Sequence, residues 1–216
     1  LHFTIHSFPT RRSSDLLYPK LAKLSSRLRL PLLDLAAPAL RECSEKQRAR
    51  LHESIRDLAE ADDQLTLFEL ALETVVRHRL EHVDEPTAGR VEVRRFADAK
   101  RHLTALLSEL ASAGHQEAQG SRRAFQAGVE TLRKRYDVEG MERSSVSAQE
   151  LEAALDRLAV AAPSLKEAVI AACAQCALAD ETVTDAEVDL LRVVAIALDV
   201  PLPPRLRQAT PDEGPP

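Results

Sequence analysis

Three features of the sequence predict an all-α fold. The apolar residues are chiefly Ala and Leu, while the 216 residues include six Gly, no Trp and only 3% aromatics. Ala and Leu lose little side-chain freedom in a helix, and Gly, which loses most backbone freedom there, is scarce. Apolar residues recur at i, i+4 and i+7, as in Leu51, Ile55 and Leu58, so they share one helical face. Ser, Thr or Pro precede such runs and Gly, Asp or Pro follow them, the punctuation of helix starts and stops. With so few aromatics, the expected core is thin and made of small side chains between close-packed helices.

Residues 6–16 (His-Ser-Phe-Pro-Thr-Arg-Arg-Ser-Ser-Asp-Leu) resemble one translated frame of a common sequencing adapter, so residues 1–16 are expected to be an artefact. Residues 20–29 are basic with apolar spacing, and Pro31 breaks that run. Residues 32–40 suit a helix interrupted at Pro38. Ser44 reads as the N-cap of a helix carrying Leu51, Ile55 and Leu58. After the acidic turn Asp62-Asp63, a second helix is expected from Thr66 to His82, ended by Asp84-Glu85-Pro86. Helices are then predicted over 93–113, stopping at Gly114, and over 117–135. Residues 138–148, rich in Gly, Ser and charge, read as a linker. Three more helices are predicted at 148–161, 163–178 and 184–199, with Pro163 in a first turn and Pro201, Pro203 and Pro204 as the stop. The expected organisation is a first acidic-turn unit at 17–84, connecting helices and linker at 85–147, a second unit at 148–204 and a disordered tail at 205–216.

The net charge of −5 gives no general attraction to nucleic acid or anionic membrane. It is unevenly spread: residues 85–137 carry 10 basic and 7 acidic groups, residues 138–216 carry 6 and 14. Few aromatics are available to stack on bases, so no nucleic-acid partner is expected. Cys43, Cys173 and Cys176 are too few for a disulfide framework and read as reduced thiols. No apolar run reaches the roughly 18 residues that span a bilayer, so a soluble chain is expected.

An internal repeat is the most informative signal. ADDQLTLFELALETVV (61–76) and ADETVTDAEVDLLRVV (179–194) align at an offset of 118 residues, with identities Ala61/Ala179, Asp62/Asp180, Thr66/Thr184, Glu69/Glu187, Leu72/Leu190, Val75/Val193 and Val76/Val194. Each copy contains a capping box, in which the Thr hydroxyl accepts from the amide three residues on and the Glu reaches back to the Thr amide. Thr66, Glu69, Thr184 and Glu187 are therefore expected as structural caps.

The candidates for chemistry are weak by comparison. As calcium loops the acidic turns, Asp62-Asp63 with Glu69 and Asp180-Glu181 with Glu187, are too short and lack the required Gly. His78-Arg-Leu-Glu-His82 matches the His-x-x-Glu-His zinc pattern but sits at a helix C-terminus, where His is favoured by the dipole, and has no third ligand. Cys173-Ala-Gln-Cys176 has no second pair to complete a four-cysteine site and reads as buried apolar surface. No catalytic residue and no bound cofactor are expected in this chain.

The stretches PLLDLAAPAL (31–40), ADDQLTLFELAL and ADETVTDAEVDLLRVVAIALDVPLPPRL together resemble the region C-terminal to the catalytic domain in bacterial membrane-bound zinc metallopeptidases of the HtpX and CAAX-protease kind, peptidase family M forty-eight. The acidic-turn units resemble TerB-like, tellurite-resistance-type helical modules. The resemblance spans residues 18–208 and is most specific at the final segment. It implies a parent that is a zinc-dependent metalloendopeptidase, with its His-Glu-x-x-His helix and membrane spans outside this chain. It further implies a non-catalytic accessory region on the cytoplasmic face of the inner membrane, whose partner is the remainder of that protein or further copies of itself. The alternative is a free-standing TerB-like stress-response module that binds partners or a divalent metal. If residues 1–16 are an artefact, deleting them leaves the thermal midpoint unchanged; a loss of several degrees would refute that reading.

Overall fold

A computed structural model of the chain describes residues 42–60, 91–115, 117–180 and 183–202, with isolated positions between 19 and 40 and at 73, 74 and 76. Among the described residues the regular elements are all helices: α1 (Glu45–Glu60), α2 (Phe96–Gly114), α3 (Ala118–Arg133), α4 (Ala148–Ala159), α5 (Pro163–Ala177) and α6 (Asp185–Leu198). The chain is all-α, as its composition predicts. None of these helices is long and apolar enough to cross a membrane. The helix expected from Thr66 to His82 lies outside the described residues except at 73, 74 and 76, which are helical.

The helix ends follow from local chemistry. Before α1, the Ser44 amide and hydroxyl both donate to Gln47 Oε1, at 2.8 and 2.9 Å. Pro163 opens α5, where its missing N–H costs nothing because the first helical amides have no partner within the helix. α6 ends at Asp199, whose left-handed backbone (φ 52°) turns the chain. That turn lets the Asp199 and Val200 amides donate to the carbonyls of Ile196 and Ala195, at 3.2 and 3.0 Å.

α2 and α3 form a hairpin, α2 lies on α4, α3 on α5, and α6 packs against α2, α4 and α5. One hydrophobic cluster joins them, centred on Leu103, Leu106, Leu107 and Leu110 of α2, Phe125 of α3, Leu155 and Leu158 of α4, and Leu190, Leu191 and Leu198 of α6. α5 is apolar around most of its circumference and buries Leu165, Val169, Ile170, Ala172, Cys173, Ala174, Cys176 and Ala177. A helix of that kind needs neighbours on several sides, and α2, α3 and α6 supply them. The α3–α5 contact depends on Gly128. A Cβ there would stand 2.9 Å from Leu107 Cδ2 and 3.1 Å from the Ala172 carbonyl oxygen.

The segment between α3 and α4 reads as a linker in the sequence, yet it is packed. Val138 and Met141 are buried in the main cluster and Val146 lies against it. Three apolar residues in an otherwise polar stretch supply that anchorage. Hydroxyls on α2 complete it. Thr104, Ser108 and Ser112 each donate back to the carbonyl four residues earlier, at 2.8 Å, and Ser108 Oγ also accepts from the Ser144 amide at 3.3 Å. Arg143 Nη1 donates to Ser112 Oγ at 3.2 Å. At the other end of the bundle a parallel bridge joins Val93 to Ala161, closed by Ala162 N–H to Val93 O at 2.8 Å.

α1 belongs to a separate small cluster in which Leu40 and Leu51 pack on buried Ile55 and Val76.

Gly128→Val should destabilise the bundle by about 1–3 kcal/mol, the usual cost of forcing extra volume into a close-packed core. Urea unfolding measures it, and an unchanged midpoint would mean that α3 and α5 meet less closely than these distances require.

Candidate functional site

The most chemically loaded place in the described structure lies where the end of α2, the turn after α5 and the start of α6 meet. Of the candidate residues read from the sequence, Asp180, Thr184 and Glu187 fall here. Asp62, Asp63, Thr66, Glu69, His78, His82 and Glu181 lie outside the described residues.

Thr184 is the N-cap of α6. Its amide and its hydroxyl both donate to Glu187 Oε2 at 2.8 Å, and its Oγ1 accepts from the Glu187 amide at 3.3 Å. This satisfies two amides that a helix start otherwise leaves without partners. The other carboxylate oxygen differs sharply. Glu187 is 1% exposed, and its Oε1 is buried without a hydrogen-bond partner. It lies over Gly114, the last residue of α2, so closely that a Cβ there would overlap the carboxylate.

Around this carboxylate stand three further groups. His115 Nδ1 is 3.5 Å from Asp180 Oδ2, while His115 Nε2 is buried without a hydrogen-bond partner. Gly120 leaves room for the His115 ring, because a Cβ there would stand 3.1 Å from Nδ1. Cys176 is buried and sits 3.9 Å from the Leu107 carbonyl oxygen.

Burial raises the Glu187 pKa above its usual value, and the Asp180 charge adds to the rise. The Thr184 hydrogen bonds and the His115 charge oppose it. The capping box of α4 has the same bonds and the opposite outcome. Glu150 accepts from the Ser147 amide and hydroxyl at 2.9 and 3.0 Å, stands in solvent, and has its pKa lowered chiefly by those Ser147 hydrogen bonds. Burial also pushes Cys176 up to about 12 and Cys173 well above the ordinary thiol value. Burial in apolar surroundings disfavours the thiolate at both positions.

Among the described residues no group of three His, Cys, Asp or Glu side chains converges to hold a metal ion. A concavity elsewhere lies between α2 and residues 140–150, lined by Lys100, Arg101, Thr104, Ser144, Ser145 and Glu150. Its Glu150 is engaged in the α4 cap, its Thr104 hydroxyl in a backbone bond, and Lys100 lies 3.9 Å from Asp137. No base and nucleophile converge there.

Two parts of this arrangement escape a reading of the sequence. The Ser147-x-x-Glu150 box carries the usual helix-start signature and could have been found from it. His115 and Gly114 had no such signal, because they meet Asp180 and Glu187 across more than sixty residues of chain. Gly114 reads in the sequence only as a helix stop. Compared with family models, with curated proteins and with solved structures, the chain matches none of them.

Thr184→Ala should cost about 1 kcal/mol, as loss of an N-cap usually does. Gly114→Ala should displace the Glu187 carboxylate, and its cost should fall when Glu187 is already Ala. A double-mutant cycle should give a coupling of about 1 kcal/mol or more; strict additivity would show that the two residues do not touch in solution.

Proposed function

We propose that this chain is a non-catalytic helical accessory region built from two copies of a three-helix acidic-turn module, and that it serves a membrane-bound zinc metallopeptidase of the kind its sequence resembles. The observation that carries the duplicated module is the placement of buried residues. The four residues of the small cluster, Leu40, Leu51, Ile55 and Val76, fall at the 118-residue offset on Leu158, Val169, Cys173 and Val194. All four of those are buried in the main cluster. The first residues of α1 and α5, Glu45 and Pro163, differ by the same offset. Shared helix starts and shared core positions support common ancestry of residues 30–80 and 148–198 more than repeated use of one capping signal.

The non-catalytic part of the reading rests on chemistry. Burial disfavours the thiolate form of Cys173 and Cys176, and the buried carboxyl of Glu187 is engaged in a cap. The peptidase association rests on the sequence resemblance over residues 18–208. The genomic frame that encodes those residues tests it. A His-Glu-x-x-His helix, a downstream Glu and membrane spans in the same frame are the expected result. A separate start codon just before Tyr18 would instead favour a free-standing TerB-like module. The chain itself should not cleave casein with or without added zinc. Zinc-dependent cleavage lost in Glu81→Gln would overturn the assignment of a non-catalytic role.

A further inference from the structure

We propose that Glu187 is a proton-linked joint of the bundle: the native fold holds it as the neutral acid against Gly114, and loss of that proton loosens the start of α6 from the end of α2.

A carboxylate shares its charge between two oxygens, and each needs donors when it is taken out of water. Glu187 Oε2 has two, from Thr184, and Oε1 has none although the residue is almost wholly enclosed. Oε1 also faces the C-terminal end of α2, where the helix dipole is negative and an anion is unwelcome. The start of α6 acts the other way, because its amides favour negative charge. The capping bonds satisfy that demand through Oε2 alone. A proton on the carboxyl removes the uncompensated charge and leaves an Oε2 acceptor for the cap.

Among the described residues, few charged groups act on the joint. From the end of α2 comes His115, whose charge favours the carboxylate, and from the turn after α5 comes Asp180, which opposes it. α5 itself contributes the Cys176 thiol, and α4 directs no charge at Glu187. On α6, Asp189 is paired with Arg192 at 3.6 Å. His115 Nδ1 and Asp180 Oδ2 lie 3.5 Å apart and act on Glu187 in opposite directions. Burial is the largest influence on the carboxyl and raises its pKa.

The sign of the pH effect is set by the proton count of the two states. The folded-state pKa of Glu187 lies above its ordinary value of 4.5, so between the two the native state binds a proton that the unfolded chain has released. This contribution to stability is complete below 4.5 and is lost as pH rises through the folded-state value. Glu150 has the opposite sign, since its folded-state pKa is lowered.

The test compares thermal midpoints of the full chain, Glu187→Gln and Glu150→Gln between about pH 4.5 and 8, a range set by ordinary carboxylate titration. Glu109 and Asp189 are also raised by burial, so the wild-type curve alone does not isolate the joint. The difference between Glu187→Gln and the wild type does. The midpoint of Glu187→Gln relative to wild type should rise by about 2–4 °C over that range, the shift expected for roughly 1 kcal/mol in a chain of this size. Glu150→Gln should show no such rise. A pH-independent difference for Glu187→Gln overturns the proposal. Should that variant fail to fold, hydrogen exchange in the wild type decides. Amides at the start of α6 should lose protection with rising pH, after correction for intrinsic rates, while those of mid-α2 keep theirs. Equal behaviour at both places overturns the proposal as well.

Discussion

The enclosure of α5 is the constraint on which the rest of the bundle depends. Its polar residues Ser164, Glu167 and Gln175 keep to one exposed strip, so the rest of its circumference has to be covered by α2, α3 and α6 together. Small residues make that arrangement feasible: Gly128 and Ala172 let α3 and α5 approach, and the thiols of Cys173 and Cys176 fill space that larger side chains would overpack. With these neighbours in place the start of α6 lies against the end of α2 at Gly114, and a helix-start carboxylate that would ordinarily face water becomes interior while Asp180 stays exposed. The polar joint is a consequence of an apolar helix.

The two reciprocal capping boxes separate local from global effects. Ser147/Glu150 and Thr184/Glu187 have the same spacing and nearly the same hydrogen bonds. Local chemistry therefore predicts similar carboxylates. Their pKa values move in opposite directions because one stands in solvent and the other is sealed. The hydrogen bonds of a cap favour the charged form, whereas desolvation disfavours it, and complete burial wins. Capping explains where α6 begins and does not explain the state of its Glu.

Much of the fold was legible for physical reasons that act over short stretches. Ser44, Pro163, Thr184 and Gly114 mark ends that propensity and capping can locate, and the described helices begin and end within a few residues of those marks. The segment after α3 was harder. Gly140 and Ser144–Ser145 suggest a solvated connection, but Val138 and Met141 insert into the cluster. Two apolar side chains outweigh local polarity when a hydroxyl row on α2 stands ready to meet the backbone. The candidate site was half legible. Thr184 and Glu187 announce themselves by spacing, whereas His115 enters only through the packing of α2 beside the turn. A single sequence does not encode that proximity in any local pattern.

The proposed duplication gains meaning from the places where the two copies differ. At the 118-residue offset, Gln47 of α1 stands where α5 has buried Leu165, and exposed Ser54 stands where α5 has buried Ala172. Ala172 is the residue whose carbonyl meets Gly128 of α3. Leu51 and Ile55, which share a cluster with Val76, stay apolar in the second copy as Val169 and Cys173. The positions that diverge include the one that α3 covers in the second copy. Such a pattern is expected if one ancestral helical unit kept its internal contacts while only the later copy adapted its outer side to the α2–α3 hairpin. The hairpin is then the element that converts an ordinary amphipathic helix into an enclosed one. With its Gly114 end against Glu187, it also takes the carboxyl of an ordinary cap out of solvent.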